Sequence, residues 1–329
     1  MVHVKGRQAL RFGKVLPLIM LVCVASLLAA DAPQLSPDIT LEAPGDHFTF
    51  VSYGDIRFMD PSDTRHSNPV ARVALVEKIA KEKPVFLTIS GDLVYEGADA
   101  LEWLQFDRET KAWRDQKIAV LPALGDHDVH GSEAAALANY FQRFPLIDSK
   151  RWYSARCGSV QVLTIDSMSD DGPGSQQWKW LEANLAGVPT DVDFVIISLH
   201  HPLYTRSTVH LLGGGHSLRN REKEMAEMLE KHQTEMRARI IVISGHVHNY
   251  ERYEHGGVMY IVTGGGGATP YFVKRQPTDF YHEEGITYHY VRFQVQRGRL
   301  KAEMIKYIDA KNWAVKDEFE ITVQPASSP

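Results

Sequence analysis

Seven short apolar runs punctuate the chain: Phe48–Tyr53, Val85–Ser90, Ile118–Leu124, Val160–Ile165, Phe194–Leu199, Ile240–Ile243 and Val258–Thr263. Each is rich in β-branched or aromatic residues and too short for a stable helix, so each is expected to be a strand. The stretches between several of them carry helical spacing instead. Asn68-Pro69 opens a helix with Val73, Val76, Ile79 and Ala80 on one face, and Pro84 stops it. Further helices are expected over Ala98–Trp113, around Glu133–Phe141, from the cap Ser175 to Gly187, and over Arg219–His232. The stripe Met225, Met228 and Leu229 is expected to be core. Strand, helix, strand implies a parallel pair with a right-handed crossover. Trp152-Tyr153 reads as a short strand, Tyr288–Gln296 and Leu300–Ile305 as a hairpin around Arg297-Gly298, and Phe319–Val323 as a last strand. No repeat of about 20 to 50 residues is visible. The expected class is α/β, a two-sheet sandwich flanked by helices.

The candidate chemistry lies just past the strand ends. Phe48–Tyr53 runs into Gly54-Asp55, Val85–Ser90 into Gly91-Asp92 with Tyr95 beyond, and Ile118–Leu124 into Gly125-Asp126-His127-Asp128. Phe194–Leu199 runs into His200-His201-Pro202, and Ile240–Ile243 into Ser244-Gly245-His246-Val247-His248. One Gly-Asp after a strand is ordinarily a turn, and one H-x-H is weak evidence for a metal. Five strand ends bearing Asp, Asp, Asp, His and H-x-H make plain turns an inadequate account, because ligands of open α/β sheets bind beyond the carboxyl ends of the strands.

In this order the five motifs resemble those of the calcineurin-like metallophosphoesterases, and Tyr95 with the run Gly245–Arg252 is most similar to the purple acid phosphatase branch. The resemblance covers about residues 47–325. It implies a four-layer αββα fold and a binuclear metal centre that hydrolyses phosphoesters. Carried over motif by motif, it assigns Asp55, Asp92, Tyr95 and His248 to a first metal ion, and Asp126, His200 and His246, with Asp92 as bridge, to a second. His127 is the implied residue for contacting substrate and protonating the leaving group. His201 is a neighbour of the ligand His200, while Tyr250, Glu251 and Arg252 are expected to brace the H-x-H loop. His210 and His216, in the long loop after Pro202, are further acid candidates.

Two departures from the family pattern stand out. Arg57 occupies a position where many members carry a metal-binding His. The first ion then needs the Tyr95 phenolate, a hard ligand that favours Fe(III), paired with Zn, Mn or Fe(II). Arg57 itself is open to two readings, a surface residue after a strand or a bidentate grip on phosphate. Asp126 stands where the family usually has Asn, adding a negative charge to a pocket that must admit an anion.

Composition narrows the context. Lys5, Arg7, Arg11 and Lys14 precede an uncharged stretch, Val15–Ala30, and Ala30-Asp31-Ala32 offers a cleavage site, so residues 1–32 are expected to be a signal peptide and 33–46 a surface lead-in. The apolar run is shorter than the about 20 residues a membrane span needs, so no stable anchor is expected after cleavage. Loss of four basic residues and one acidic one makes a chain of net charge −5 still more acidic. With no Lys/Arg block it is a poor nucleic-acid binder. Cleavage also leaves Cys157 as the one cysteine, so no intrachain disulfide is available. The expected protein is secreted or periplasmic and acts on a small-molecule phosphoester; the sequence sets no oligomeric state. Competing expectations are a phosphodiesterase or nucleotidase of the same fold, and a non-catalytic metal or phosphate binder disabled by Asp126.

Overall fold

The computed structural model describes residues 35–207, 210–211, 214–215 and 218–323. The leader read at 1–32, His216 and the side chain of His210 lie outside the described residues. A six-stranded sheet runs in the spatial order Trp313–Thr322, Arg299–Tyr307, His289–Gln296, His47–Tyr53, Phe86–Ile89 and Ala119–Pro122. A seven-stranded sheet runs Ile39–Leu41, Tyr153–Cys157, Val160–Thr164, Phe194–Ser198, Arg239–Ser244, Val258–Thr263 and Tyr250–His255. The strands that lead into the Asp motifs are mutually parallel in the first sheet, and those that lead into the His motifs are parallel neighbours in the second. All five motifs therefore leave from carboxyl ends.

The apolar runs of the parallel strands are continuous because both faces are covered. Along Arg239–Ser244, Ile241 and Ile243 join the core between the sheets, with Phe50, Ile89 and Phe293. The alternate residues Ile240 and Val242 pack with Leu181, Leu185, Met225 and Leu229 of the helices Gln176–Ala186 and Asn220–Glu235. Period-two alternation thus assigns one set of side chains to the inter-sheet layer and the other to an outer helical layer. The helices Pro69–Glu82, Ala100–Glu109 and Lys111–Asp115 contribute Leu75, Val76, Ile79, Trp103, Phe106 and Trp113 to the first cluster, and complete the four layers.

Local signals acted as expected at the helix ends. The Asn68 side chain accepts from the amides of Val70 and Ala71 at 3.1 Å each, and Ser175 from that of Trp178 at 3.0 Å. Other expectations need correction. The helix expected over Ala98–Trp113 breaks at Thr110, whose hydroxyl turns back to the Phe106 carbonyl at 2.6 Å. Ile39–Leu41, expected only as lead-in, is a strand parallel to Tyr153–Cys157. Tyr250–His255 is a strand antiparallel to Val258–Thr263, and the last strand is longer than expected, Trp313–Thr322. Among the described residues, no helix is long and apolar enough to cross a membrane.

Candidate metal centre

The loops at the strand ends fit tightly against one another. A Cβ on Gly125 would stand 2.3 Å from Asp92 Oδ1, and one on Gly264 would stand 2.7 Å from Asp55 Oδ2 and 2.2 Å from the Val247 carbonyl oxygen. Glycine at these positions lets backbone approach the carboxylates. Four residues at the strand ends hold left-handed backbone angles that L-residues with side chains rarely adopt: Asp55 (φ 55°), Arg57 (54°), Asp92 (53°) and His246 (66°). Such strain persists where surrounding contacts over-determine it, and it concentrates at functional sites. Here the amides of Asp55, Ile56 and Arg57 bond to the carbonyls of Gly91 and Asp92 at 2.9–3.0 Å.

The structure brings six of the sequence-nominated metal residues together. Asp126, His200 and His246 form one group of potential ligand atoms within 4.8 Å of one another, Asp55, Asp92 and His200 a second, and Asp92, Asp126 and His127 a third. His200 Nε2 lies 2.9 Å from Asp126 Oδ1, 3.4 Å from Asp92 Oδ1 and 3.1 Å from His246 Nδ1. His248 Nε2 lies 3.5 Å from Asp55 Oδ1. Asp92, Asp126 and His200 each belong to two of the three groups.

The imidazoles are oriented from behind. His200 Nδ1 donates to the Ser90 carbonyl at 2.8 Å and His248 Nδ1 to that of Thr269 at 2.7 Å, which leaves each Nε2 turned toward carboxylate oxygen. A carbonyl behind Nδ1 fixes the tautomer that a metal-ligating histidine uses. The electrostatics reflect crowded carboxylates. Burial alone would push His200 down, yet Asp92, Asp126 and Asp55 together push it up to about 10. Burial and the Asp92 charge raise Asp55 well above the usual carboxylate range. Lone pairs of nitrogen and oxygen converging from two sides, with excess negative charge between them, fit a pair of divalent or trivalent ions.

Tyr95 and His127 stand together on the Asp92–Asp126 side of the cluster. The Tyr95 ring stacks on His66 (centroids 4.6 Å apart) and lies tilted against His127 (4.8 Å), with the Arg57 guanidinium 5.5 Å over its centroid. His127 Nδ1 donates to the Tyr95 carbonyl at 2.6 Å, and its Nε2 therefore accepts from Arg57 Nη2 at 2.8 Å. His201 bonds to the Ser167 hydroxyl at 3.0 Å and stands outside the three ligand groups.

Sequence reasoning missed Tyr271. Its ring lies parallel to His248, 4.1 Å between centroids. Burial above all raises its phenol to about 12, against the pull of Arg57 and with the push of Asp55, Asp92 and Asp126. The signal available was the Gly264–Gly267 run, which lets the following segment fold over the site. The presumed braces also act elsewhere. Tyr250 and Arg252 bind Asp317 on the other sheet, at 2.8 Å and 2.6 Å, and Glu251 holds Thr205 and the Arg206 amide in the loop after His200.

The pattern of the calcineurin-like phosphoesterase family matches residues 48–250, more than half of the chain, and the chain belongs to that family. A probable purple acid phosphatase 20 from Arabidopsis thaliana is 28% identical over 219 residues, 58% of this chain and 47% of that protein. The Fe(3+)-Zn(2+) purple acid phosphatase 12 of the same plant is 32% identical over 119 residues, 36% of this chain and 24% of that protein. The chain thus spans about half the length of the first of these relatives. Among solved structures, the yellow lupin (Lupinus luteus) purple acid phosphatase PPD1 superposes with a TM-score of 0.69 at 17% identity, covering 90% of this chain and 58% of that one. That likeness establishes the calcineurin-like fold.

Proposed function

We propose that this protein is an exported, metal-dependent phosphoric ester hydrolase acting on small phosphomonoesters. The observation that carries the reading is the convergence of Asp55, Asp92, Asp126, His200, His246 and His248 from five strand ends of two sheets. In this reading Asp92 would be shared by two ions, Asp126, His200 and His246 would hold one, and Asp55 and His248 with the Tyr95 phenolate would hold the other. Fe(III) with Zn, Mn or Fe(II) suits a shell containing a phenolate, and the Fe(3+)-Zn(2+) name of one relative supports it. When bound, the ions supply Lewis acidity and lower the pKa of water.

The chain's own groups orient and neutralise. The carbonyls of Ser90 and Thr269 hold the imidazoles in register. In this reading His127 Nε2, released from Arg57 Nη2 once phosphate engages the guanidinium, takes up a proton from solvent and passes it to the leaving-group oxygen. Export rests on the Lys5–Ala32 leader pattern. The test is metal analysis and turnover on one sample of the mature chain. Metal-dependent cleavage of p-nitrophenyl phosphate, faster than of its bis ester, is expected. Two equivalents of bound metal with neither ester cleaved would instead establish a non-catalytic binder, and preference for the bis ester a phosphodiesterase.

A further inference from the structure

Arg57 does not behave as a surface residue after a strand. It is 8% exposed and keeps a φ of 54°, a conformation that costs an L-residue free energy. Its backbone is held on both sides. The amide donates to the Asp92 carbonyl at 3.0 Å, and the buried Arg72 guanidinium reaches the Arg57 carbonyl at 2.8 Å while paired with Glu109. This strain delivers a guanidinium to the carboxylate cluster. Nη2 lies 2.8 Å from His127 Nε2 and 3.5 Å from Asp92 Oδ2, and Cζ lies over the Tyr95 ring. Nε is buried with no hydrogen-bond partner among the described residues.

An arginine placed only to neutralise Asp92 would make the short, bidentate pair of which the guanidinium fork is capable, with N···O near 2.8 Å. The 3.5 Å single contact is a loose one, and the donor fork keeps capacity in hand. Two oxygens of a tetrahedral phosphoryl group can accept from such a planar fork bidentately. The charges that face Arg57 are Asp92, Asp55 and Asp126, the groups that would otherwise repel a phosphate.

We propose that Arg57 is a substrate-binding residue: its guanidinium, set by strained backbone at the Asp92 edge of the centre, grips non-bridging oxygens of the phosphoryl group and offsets the carboxylate of Asp126. This rests on the phosphoesterase reading above. The positive φ is a second observation independent of charge, since a purely structural residue here would be better served by glycine.

The experiment uses the metal-loaded full mature chain and the variants Arg57→Gln, Arg57→Lys and Arg57→Gly. Metal content, orthophosphate affinity by calorimetry, KM and kcat for a monoester, and Tm are measured on each. Expected are unchanged metal content, orthophosphate binding weakened about 10- to 100-fold in the Gln and Gly variants, and a KM raised by a similar factor. Lys should recover part of the affinity, as a point charge without the fork. The Gly variant should melt no lower than wild type. Unchanged orthophosphate affinity in Arg57→Gln, or loss of metal from it, would overturn the role of Arg57 and leave the phosphoesterase reading standing. Wild type that holds metal yet neither binds orthophosphate nor cleaves an ester would overturn both.

Discussion

Asp126 is the most exposed carboxylate of the centre, its side chain 46% exposed, while Asp55 and Asp92 are buried. Its Oδ1 lies 2.9 Å from His200 Nε2 and 3.2 Å from His246 Nδ1, and the two imidazoles keep it ionised despite the neighbouring carboxylates. Burial works against that ionisation and the two imidazoles prevail, placing its carboxyl far below the usual range. Its extra negative charge faces incoming phosphate. At an effective dielectric of about 20, a charge about 4 Å away is worth roughly 4 kcal/mol before relaxation, and half-exposure screens most of that. Asp126→Asn is expected to keep both metals and to lower KM for monoesters about 2- to 5-fold. Weaker substrate binding by this variant, measured beside its metal content, would show that the carboxylate is required. Tyr95 carries a sharper signature. If its phenolate meets Fe(III), the protein is coloured by a charge-transfer band, which Tyr95→Phe abolishes and Tyr271→Phe leaves in place. A band that follows Tyr271, the phenol stacked on His248, would reassign the ligand.

At the scale of elements, the loop after Phe86–Ile89 is held by two carboxylates outside the metal set. Asp128 accepts from the Leu93 and Gly125 amides at 2.8 Å and 2.9 Å, joining two motif loops. Glu102, in the first turn of Ala100–Glu109, accepts from the Tyr95 and Glu96 amides at 2.8 Å and 2.6 Å. Burial pushes Glu102 up to about 7, with the amides pulling the other way. A carboxyl whose folded pKa exceeds its unfolded value near 4.5 binds more protons in the folded chain, so its contribution to stability falls as pH rises from about 4.5 to about 7. Glu102→Gln keeps an acceptor for both amides and removes the titration. After a discount for solvent screening, the stability of wild type relative to this variant is expected to fall by about 2 kcal/mol between pH 5 and pH 7.5. Denaturant melts of both proteins at the two pH values measure it, and parallel profiles would exclude Glu102 as a titrating brace. None of this was legible in the sequence. No local pattern marks Glu102, whose role depends on the amides of Tyr95 and Glu96 lying over it.

Across the whole molecule, the sequence disclosed what is local and hid what is not. The runs at Ile240–Ile243 and Phe194–Leu199 were readable as buried strands because parallel strands covered on both faces carry unbroken apolar sequence. The Gly-Asp and H-x-H clusters were readable because each lies within a few residues of a strand end. Arg57 was ambiguous, since its sequence neighbours do not reveal a left-handed φ or the Arg72 contact. Tyr271, Asp317 and the strand Tyr250–His255 take their roles from partners distant along the chain.

The same topology would make ions held at this cluster a fastener. Asp55, Asp92 and Asp126 leave the six-stranded sheet, and His200, His246 and His248 leave the seven-stranded one. Ions shared between them would tie the two sheets at one edge and neutralise three carboxylates packed together in an acidic chain. A ligand that binds only the folded state at 100 to 1,000 times its Kd adds about 3 to 4 kcal/mol. Chelation followed by desalting is therefore expected to lower Tm by about 5–10 °C, reversed on adding metal back. Hydrogen exchange should localise the effect. Amides of residues 54–57, 91–97, 245–249 and 264–271 should exchange faster in the stripped protein, while the inter-sheet core around Phe50, Ile241 and Phe293 keeps its protection. A Tm that does not move when metal analysis shows complete removal would mean that the sheets are held by that core alone, and that the ions serve chemistry without fastening the fold.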